Sequence, residues 1–579
     1  MSEFLFPPGL VLFFGAFLLP QVQGKVRTAL VLGLPLLALL LVWSLPEGSR
    51  ITLQFLQYEL EPVSATAVGR LFATVFALAA WAGGLYGLWR AEPDGQGGCQ
   101  LREGNVLELA AAYAYAGSAI GVTFAGDLIT LFIFWEMMAL SSTLVLWSNT
   151  RENPKAYGAS MRYLLVHLLG GVILMGGIVW QVYATGSTAF VKMGELSSGA
   201  HWLIMAGFLI NAGAPPLSAW VADAYPEASA SGMVFLSAFT TKTAVYVLLV
   251  GFAGAQVLIY IGLYMVFYGI FYALMENDMR RILAYSIVNQ VGFMVTAIGI
   301  GSELALNGAA AHAFAHIIYK ALMLMSAGSV LALTGRHKCT ELGGLFRHMP
   351  LTAIFGIIGS LAIAAFPFTS GFVTKSLETS AAAYAGLAPA WFLLLTASAG
   401  AIVYIGFKFP LFVFFNRDAG LHPPEAPRHM LWAMGFCAFL CIAIGIFPEP
   451  LYALLPHQPV TYQAYTLDHL VTQFQLLLFA GAAFFLLLPQ MQVTPTISLD
   501  FDWFYRKLLK YLVREFSLKT IDARRLLENR ALLRTERMAE RLYRRYGPQS
   551  VFARTWPSGV MVLWVAVLLA GSLVLYYLR

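Results

Sequence analysis

The sequence predicts an all-α polytopic membrane protein with about 16 transmembrane helices, a figure taken from its long apolar runs. Of its 579 residues, 59% are hydrophobic and only 11% are charged, whereas a soluble domain carries about 25% charged residues. A helix needs about 20 mostly apolar residues to cross a bilayer, and such runs recur along most of the chain. A soluble enzyme with a single membrane anchor is therefore excluded.

The predicted spans follow directly from these runs. In chain order they are residues 4–22, 28–44, 67–89, 107–125, 127–147, 162–183, 202–220, 231–252, 255–275, 282–300, 305–333, 350–386, 388–414, 430–447, 470–489 and 558–577. The twelfth run is too long for one straight helix, and Pro367 and Gly371 near its middle predict a broken helix. Pro215 and Pro216 interrupt the seventh run in the same way.

The charged loops predict the orientation of these spans. Loops after odd-numbered spans are rich in Lys and Arg, as at Arg280 and Arg281, whereas loops after even-numbered spans are poorer, with Arg50 and Lys192 as the main exceptions. The positive-inside rule therefore puts the basic loops in the cytoplasm and the N-terminus outside. The expected location is the cell (inner) membrane.

The segment 498–547 is too charged to cross a membrane. Residues 502–545 hold 13 basic and 6 acidic side chains, so the chain's net charge of +6 resides in this segment. That placement favours contact with a membrane surface or a protein partner and argues against nucleic acid. We expect an amphipathic helix that lies laterally on the cytoplasmic side and is followed by the terminal span. Its apolar face would be Phe501, Trp503, Phe504, Leu508, Leu509 and Leu512.

Ionisable residues inside the apolar runs are the strongest functional signal. A charge at the bilayer centre costs at least about 2.5–3.5 kcal/mol, so such residues are rare and usually mark ion or proton pathways. Hydrogen bonding between helices accounts for a minority of buried polar residues, but it does not explain a set of this size on several helices, which predicts a relay. The predicted proton-translocation residues are Glu136, Lys242, His312, His316, Lys320 and Lys375.

Two of these residues, Glu136 and Lys242, come from the first half of the chain. Burial disfavours the charged form of a carboxylate, and a nearby cation favours it. A glutamate subject to both effects, as we expect for Glu136, can load and release a proton near neutral pH. Lys242, among three threonines, is either a proton carrier or the counter-ion of Glu136 in a static pair.

The other candidates come from the second half. His312, His316 and Lys320 are spaced four apart, which puts them on one helix face and spans about 12 Å. Histidine titrates closest to neutral pH, so this ladder predicts a proton wire. Lys375 follows the predicted helix break, where water or ions can reach the mid-membrane. His167, alone in an apolar run, is more typical of a hydrogen-bonded core residue.

The sequence holds no cofactor motif. Its cysteines, Cys99, Cys339, Cys437 and Cys441, lack metal-binding spacing, and neither CxxC nor a GxGxxG after a strand is present. The histidine ladder lacks the HExxH pattern of a zinc site. We therefore predict no cofactor and no metal. The sequence gives no redox or hydrolytic site that would make the chain an enzyme by itself.

Several stretches together resemble one family. They are DLITLFIFWEMMALSS, PLSAWVADAYPEASASGMVFLSAFTTKTAVY, RRILAYSIVNQVGFM, HAFAHIIYKALMLMSAGSV and SGFVTK. These stretches resemble the antiporter-like subunits of respiratory complex I and of Mrp-type cation/proton antiporters. TTKTAVY and VHLLGG look nearest to the Mrp D subunit, and the charged tail with its last span is similar to the lateral-helix extension of the largest such component of complex I.

The resemblance implies a domain plan and a role for each candidate. It implies N-terminal helices in 1–105, a core in 106–415, additional spans in 416–497 and the lateral helix with its terminal span in 498–579. Within the core, two inverted five-helix repeats would occupy about 107–252 and 255–414, each with a half-channel. Glu136 matches the family's carboxylate of the fifth helix and Lys242 the lysine of the eighth. The histidine ladder with Lys320 matches the central relay, and Lys375 the ionisable residue of the broken twelfth helix.

One stretch departs from the family pattern. The family usually carries KxxxxPLHxW on its seventh helix, whereas this chain reads NAGAPPLSAW. Asn211 takes the position of the lysine and Ser218 that of the histidine. Because asparagine cannot carry a charge, either Lys242 becomes the partner of Glu136 or the first half-channel has an altered function.

The resemblance implies a proton-translocating subunit of a multisubunit Mrp-like cation/proton antiporter, with other membrane subunits, lipid, protons and Na⁺ or K⁺ as its partners. A proton-pumping subunit of a complex I-like NADH:quinone oxidoreductase or of a membrane-bound hydrogenase is the first alternative. A structural membrane scaffold, which Asn211 would favour, and an energy-coupling partner for inorganic-carbon uptake are further alternatives.

Overall fold

The computed structural model describes residues 6–93, 99–494, 499–550 and 553–578. The chain divides into two compact units, Met1–Asp502 and Trp503–Arg579. Thirteen helices in the described residues are long and apolar enough to cross a membrane, and three shorter apolar helices correspond to the first, seventh and twelfth predicted spans. Together they account for the 16 predicted spans and confirm an all-α, multi-pass membrane protein.

The N-terminal part contains three helices and two hairpins. The elements are α1 (Pro8–Leu18), α2 (Gly24–Ser44), β1 (Arg50–Phe55), β2 (Tyr58–Ser64), α3 (Ala67–Gly87), β3 (Trp89–Pro93) and β4 (Cys99–Glu103). Each pair of strands is antiparallel. The sequence analysis predicted only loops there, because short, mostly exposed strands do not interrupt the apolar pattern that defines the spans. The first two residues of the predicted span 4–22 lie outside the described residues.

The first group of core helices is built around a broken helix. The group consists of α4 (Val106–Phe124), α5 (Leu128–Trp147), α6 (Lys155–Thr185), α7 (Gly199–Ala212), α8 (Trp220–Ala224), α9 (Ala230–Ala238) and α10 (Thr240–Gly251). Helix α7 ends at Gly213, which adopts the left-handed conformation (φ 79°) that favours glycine. The two prolines that follow occupy the loop before α8, as the sequence predicted.

The second group repeats this order. It consists of α11 (Val257–Met275), α12 (Met279–Ile300), α13 (Glu303–Thr334), α14 (Pro350–Ile363), α15 (Ser370–Tyr384) and α16 (Ala388–Ala401), whose last span continues to Phe415 through π-helical turns. In both groups the third helix is the longest, with 31 residues in α6 and 32 in α13. In both groups a broken span follows.

Two aspartates mark the same position in each group. Asp127 caps the N-terminus of α5, where one carboxylate oxygen accepts from Ile129 N at 2.9 Å and Thr130 N at 2.8 Å. Asp278 caps α12 in the same manner. Each also forms an isolated antiparallel bridge to the loop that follows the third helix, Asp127 with Ala189 and Asp278 with Lys338. These caps satisfy backbone donors that a helix start leaves free.

The predicted break in the twelfth span is confirmed. Helix α14 stops at Ile363 and α15 starts at Ser370, and the link contains Pro367 and the positive-φ residues Ala365 (55°) and Phe368 (68°). Gly371 serves close packing rather than the turn itself, since a Cβ added there would collide with the carbonyl of Ala362.

The remaining helices lie outside the core. The first unit ends with α17 (Arg428–Ile446), α18 (Glu449–Tyr452) and α19 (Leu467–Leu486). The second unit consists of a π-helical turn (Phe504–Leu508), α20 (Leu509–Tyr546) and α21 (Ser558–Tyr577). Helix α20 has 38 residues, about 57 Å at 1.5 Å per residue. This confirms a long charged helix followed by a terminal apolar helix.

Candidate functional site

Helix α13 carries the three residues of the predicted ladder. Ser302 caps its N-terminus, and small Ala and Gly residues surround His312, His316 and Lys320, so neighbouring helices approach closely. All three side chains are completely buried. Because the helix is continuous through them, their four-residue spacing puts them on one side of it.

His312 forms a buried hydrogen-bonded pair with Glu378 that the sequence analysis did not predict. Its Nδ1 lies 2.9 Å from Oε2 of Glu378 on α15, and both side chains are fully buried. Its Nε2 lies 2.8 Å from the hydroxyl of Tyr319 and 3.2 Å from Oε1 of Gln290 on α12. His312 therefore links α12, α13 and α15 through a buried polar network.

His316 and Lys320 lie about one and two turns further along α13. The Lys320 ammonium donates to the Ser286 hydroxyl at 2.7 Å and to the Leu283 carbonyl at 3.3 Å, both on α12. The His316 ring lies 5.2 Å from the Tyr319 ring and 6.1 Å from the His312 ring. Neither of its nitrogens has a hydrogen-bond partner among the described residues. His316 thus sits between two partnered groups with both nitrogens free to exchange a proton.

The broken span positions Lys375. Its Nζ donates at 2.6 Å to the carbonyl of Ile363, the last residue of α14. A carbonyl at a helix end lacks an intrahelical partner, so the break creates the acceptor for this lysine. The ammonium also lies 5.1 Å from the centre of the Phe293 ring, a cation–π contact.

A cavity of about 270 Å³ with several polar side chains in its lining adjoins Lys375. Its lining includes Ser376, Thr379 and Ser380 from α15 together with His469 from α19. The Ser380 hydroxyl lies 3.4 Å from His469 Nε2 and 3.1 Å from the Tyr462 hydroxyl. The cavity therefore places Lys375 next to a second titratable group on a helix outside the core.

Lys242 occupies a break that the sequence did not reveal. Helix α9 ends at Ala238 and α10 begins at Thr240, although the two form one span. The Lys242 ammonium donates at 2.6 Å to the carbonyl of Ser237 and at 3.1 Å to the Thr241 hydroxyl. As with Lys375, a lysine binds a carbonyl exposed at a helix end.

Glu136 is not paired with Lys242. Among the described residues no cation lies within 4.0 Å of the Glu136 carboxylate, and its Oε1 is buried without a hydrogen-bond partner. The static Glu136–Lys242 pair, one of two interpretations of the sequence, is therefore absent from this structure. The physical reason is that Lys242 is held by the backbone at the α9–α10 break.

The residues that depart from the family pattern lie close to a histidine. Asn211 Oδ1 lies 2.9 Å from Nδ1 of His167, and both residues are buried. Ser218 is buried as well, and its hydroxyl has no partner among the described residues. The described residues contain no group of three or more His, Cys, Asp or Glu side chains that could hold a metal ion.

A family model described as "NADH:quinone oxidoreductase/Mrp antiporter, TM" matches residues 125–402. Over these residues the chain is similar to that family. The matched region begins just before α5 and ends with α16, so it contains Glu136, Lys242, the α13 ladder and Lys375.

Known proteins resemble this chain in sequence and in fold. A protein of Rhizobium meliloti, described as the A/B component of a probable K⁺/H⁺ antiporter, is 29% identical over 361 residues, which cover 58% of this chain and 36% of that protein. The chain spans between 36% and 46% of the length of the first curated relatives that it matches.

Two solved assemblies of membrane proteins share the fold. A chain of the Mrp complex from Dietzia sp. DQ12-45-1b has a TM-score of 0.63 at 18% identity, covering 83% of this chain and 95% of that one. A chain of an archaeal membrane-bound sulfane sulfur reductase has a TM-score of 0.66 at 22% identity, covering 82% and 98%. Identities this low establish the fold alone.

Within the family core, sequence reasoning missed Glu378, Gln290 and Tyr319. Glu378 follows Lys375 by three residues, a spacing that puts both on the same helix face, so its position was a usable signal. The sequence analysis considered only Lys375 and the helix break in this span, and it left Glu378 out. Gln290 and Tyr319 carry no charge, and only the fold shows that they meet His312.

Proposed function

We propose that this chain is a proton-translocating membrane subunit of a multisubunit, Mrp-like cation/proton antiporter. The observation that carries the proposal is the buried network of His312, Glu378 and Gln290, which joins three core helices in the second group. Lys320 is buried on the same helix as His312 and binds the Ser286 hydroxyl of α12. Buried ionisable groups are costly in a membrane, and they are retained mainly where they move ions or protons. A structural scaffold has no need for a fully buried His–Glu pair, since an apolar core is as stable or more stable.

The proposed path runs from the first group of core helices to the second. Protons pass from Glu136 to Lys242, then to His316 and Lys320, to the His312–Glu378 pair and to Lys375. Lys375 adjoins the cavity that His469 lines, and the distribution of basic loops assigns that end of α15 to the outside. Each group can carry a proton, and none requires a bound cofactor.

The surroundings of Glu136 support a neighbouring membrane protein as partner. Glu136 lies on α5 between exposed apolar residues such as Ile133 and Leu140, and its own side chain is partly exposed. A carboxylate that faces lipid is costly, and a polar surface of a neighbouring protein removes that cost. The matched protein from Rhizobium meliloti is itself described as part of an antiporter, and the one from Dietzia as part of a complex.

A redox-driven complex is the second candidate. The favouring observation is the similarity to a protein of Pseudomonas aeruginosa described as NADH-quinone oxidoreductase subunit M, which is 28% identical over 363 residues. In such a complex the same proton path would be driven by electron transfer in other subunits, whether of a complex I-like enzyme or of a membrane-bound hydrogenase. Coupling to inorganic-carbon uptake would likewise use the path with a different partner.

Proton flux in inverted vesicles that contain the intact complex separates these candidates. A pH change that is triggered by Na⁺ or K⁺ and is independent of NADH supports the antiporter. An NADH-dependent pH change without added cation would assign the chain to a redox-driven pump. Absence of flux in both conditions, with assembly verified by gel filtration, would favour the scaffold.

A further inference from the structure

The environment of His167 is unusual for a histidine that serves only in packing. Its Nδ1 lies 2.9 Å from Asn211 Oδ1, and because an amide oxygen only accepts, Nδ1 is the donor. The lone pair is therefore on Nε2, which is buried and has no hydrogen-bond partner among the described residues. The rings of Tyr163 and Trp220 pack at 4.1 and 4.7 Å between centroids. Asn211 thus fixes the tautomer and leaves a buried proton acceptor.

Two glycines bring Glu136 and Asn211 to the same helix as His167. A Cβ added at Gly171 would collide with Oε1 of Glu136, so the carboxylate lies directly on the α6 backbone. A Cβ at Gly170 would lie 3.4 Å from Asn211 Oδ1. Gly171 is four residues after His167, so both lie on one face of α6, about 6 Å apart along its axis. The VHLLGG stretch therefore combines a histidine with the space for a carboxylate.

We propose that His167 replaces the lysine that is missing at position 211 and is the proton-carrying partner of Glu136 in the first group of helices. The inference rests on the proposed function and adds a residue to its path. Asn211 cannot carry a proton, and Lys242 is held at the α9–α10 break. His167 is the titratable side chain that contacts Asn211 and shares a helix face with the site of Glu136.

Apart from Glu136, the other charged and titratable groups around His167 each have a contact within the structure. Helix α5 contributes Glu136, and α6 itself contributes Tyr163, whose hydroxyl donates to Ser142 at 2.9 Å. Asp223 on α8 is ion-paired with Arg162 at 2.6 Å. Tyr225, in the turn after α8, packs against the rings of Tyr163 and Trp220. Glu136 is thus the acidic group in this environment that the described ion pairs leave available.

Proton flux by the complex tests the inference with three variants. H167Q keeps a side chain that can donate to Asn211 but cannot carry a proton, and flux is expected to fall by about 100-fold, the scale of a lost proton-transfer group. Adding N211K to H167Q is expected to restore most of the flux. H201Q, at the partly exposed start of α7, is the control and should match wild type. Wild-type flux in H167Q, or no gain in the double variant, would overturn the proposal.

A second measurement does not depend on transport. A hydrophobic carbodiimide labels buried carboxyl groups only when they are protonated, and mass spectrometry of the Glu136 peptide follows that reaction. In H167Q, labelling of Glu136 is expected to persist to higher pH by about one unit, the effect of losing a nearby proton acceptor that becomes positive. Identical profiles in the two proteins would overturn the role of His167. Absence of flux in wild type would instead overturn the proposed function, while the labelling still decides on His167.

Discussion

At the scale of single residues, Lys320 has the contacts of a relay residue. Its ammonium is fully buried and held by one hydroxyl and one carbonyl of α12. Such weak neutral partners let the group lose its proton without leaving an opposite charge unpaired, whereas a lysine in a carboxylate ion pair would be fixed in its charged form. Lys242 and Lys375 are held in the same way, by carbonyls at helix ends.

The first prediction concerns Lys320. In the Lys320→Ala variant, proton flux should fall by at least about 100-fold, because the step through α13 loses its carrier, while the complex still assembles. Flux in inverted vesicles and gel filtration of the purified complex measure the two properties. Lys192→Ala, which removes an exposed lysine from the loop after α6, should change neither. Flux close to wild type in Lys320→Ala would rule out the central relay.

The second prediction concerns the His312–Glu378 pair. Glu378→Gln keeps a hydrogen-bond acceptor for His312 but removes the charge, so flux should fall by about 10- to 100-fold with little loss of assembly. Glu378→Leu leaves Nδ1 of His312 without a partner and should also destabilise the protein by about 1–3 kcal/mol.

Glu303→Gln provides the matched control, since that residue lies exposed in the first turn of the same helix as His312. Thermal unfolding in detergent measures stability, and vesicle flux measures transport. If Glu378→Gln and Glu303→Gln transport equally well, the buried pair serves structure only.

Much of the candidate site could be predicted from sequence at this scale, because a charged residue within an apolar run can be recognised without any structure. Lys320 and Lys375 stand out for that reason. Glu378 lies near the end of its apolar run, where a carboxylate is typical of an interface with water. The partnership of His167 and Asn211 depends on the packing of α6 against α7, which no spacing within either helix reveals.

At the scale of elements, the spans were predictable and their internal breaks only in part. Length and apolar content define a span, and Pro367 marked the break between α14 and α15. The break between α9 and α10 falls in LSAFTTK, which contains neither Gly nor Pro. This break results from packing between helices. Lys242, which the break holds, was predicted as a proton carrier from its position in an apolar run, without knowledge of the break.

The third prediction tests the packing at the predicted break. In Gly371→Val, the new side chain would collide with the carbonyl of Ala362, so α15 must move away from α14 at a cost of about 1–3 kcal/mol. The midpoint of thermal unfolding should drop accordingly. Gly176→Val on α6, where nothing lies within 4 Å of an added Cβ, is the control. Equal midpoints would show that this close approach does not stabilise the break.

The fourth prediction concerns the loop that ties down the start of α12. His337 Nδ1 lies 2.8 Å from Asp278 Oδ2, and this hydrogen bond raises the pKa of His337 above its usual value. A raised folded-state pKa means that the stabilisation is fully present below the unfolded value of about 6.5 and is lost as the pH rises through the folded value. The His337 side chain is 44% exposed, so the contribution is small, about 0.2–1 kcal/mol.

Comparison of thermal unfolding of wild type and His337→Gln at about pH 5.5 and at about pH 8.5 measures this contribution on either side of the histidine transition. Wild type should be the more stable protein at the lower pH only. The cap of α12 uses the other oxygen of Asp278 and is unaffected by the substitution. A constant difference between the two proteins at both pH values would contradict the assignment.

At the scale of the whole molecule, the second unit differs from the first in its need for partners. No described residue of α20 or α21 is buried, whereas α12 is buried almost throughout. An isolated apolar helix of 20 residues is stable within lipid, and a long basic helix binds an anionic surface or an acidic partner. The exposed surfaces of α20 and α21 are suited to such contacts, which the predicted lateral tether would require.

The last prediction tests that role. A chain that ends at Asp502 should keep the thermal stability of the core, with a midpoint within about 2–4 °C of wild type, because no described side chain of α20 or α21 is buried. Co-purification with neighbouring membrane proteins should fall sharply. A chain that ends at Tyr546 keeps the basic helix and loses only the terminal span, so its retention of partners reports whether the helix needs that anchor. Undiminished co-purification of the chain that ends at Asp502 would contradict a tether, and a collapse of its core stability would show that the tail is part of the fold.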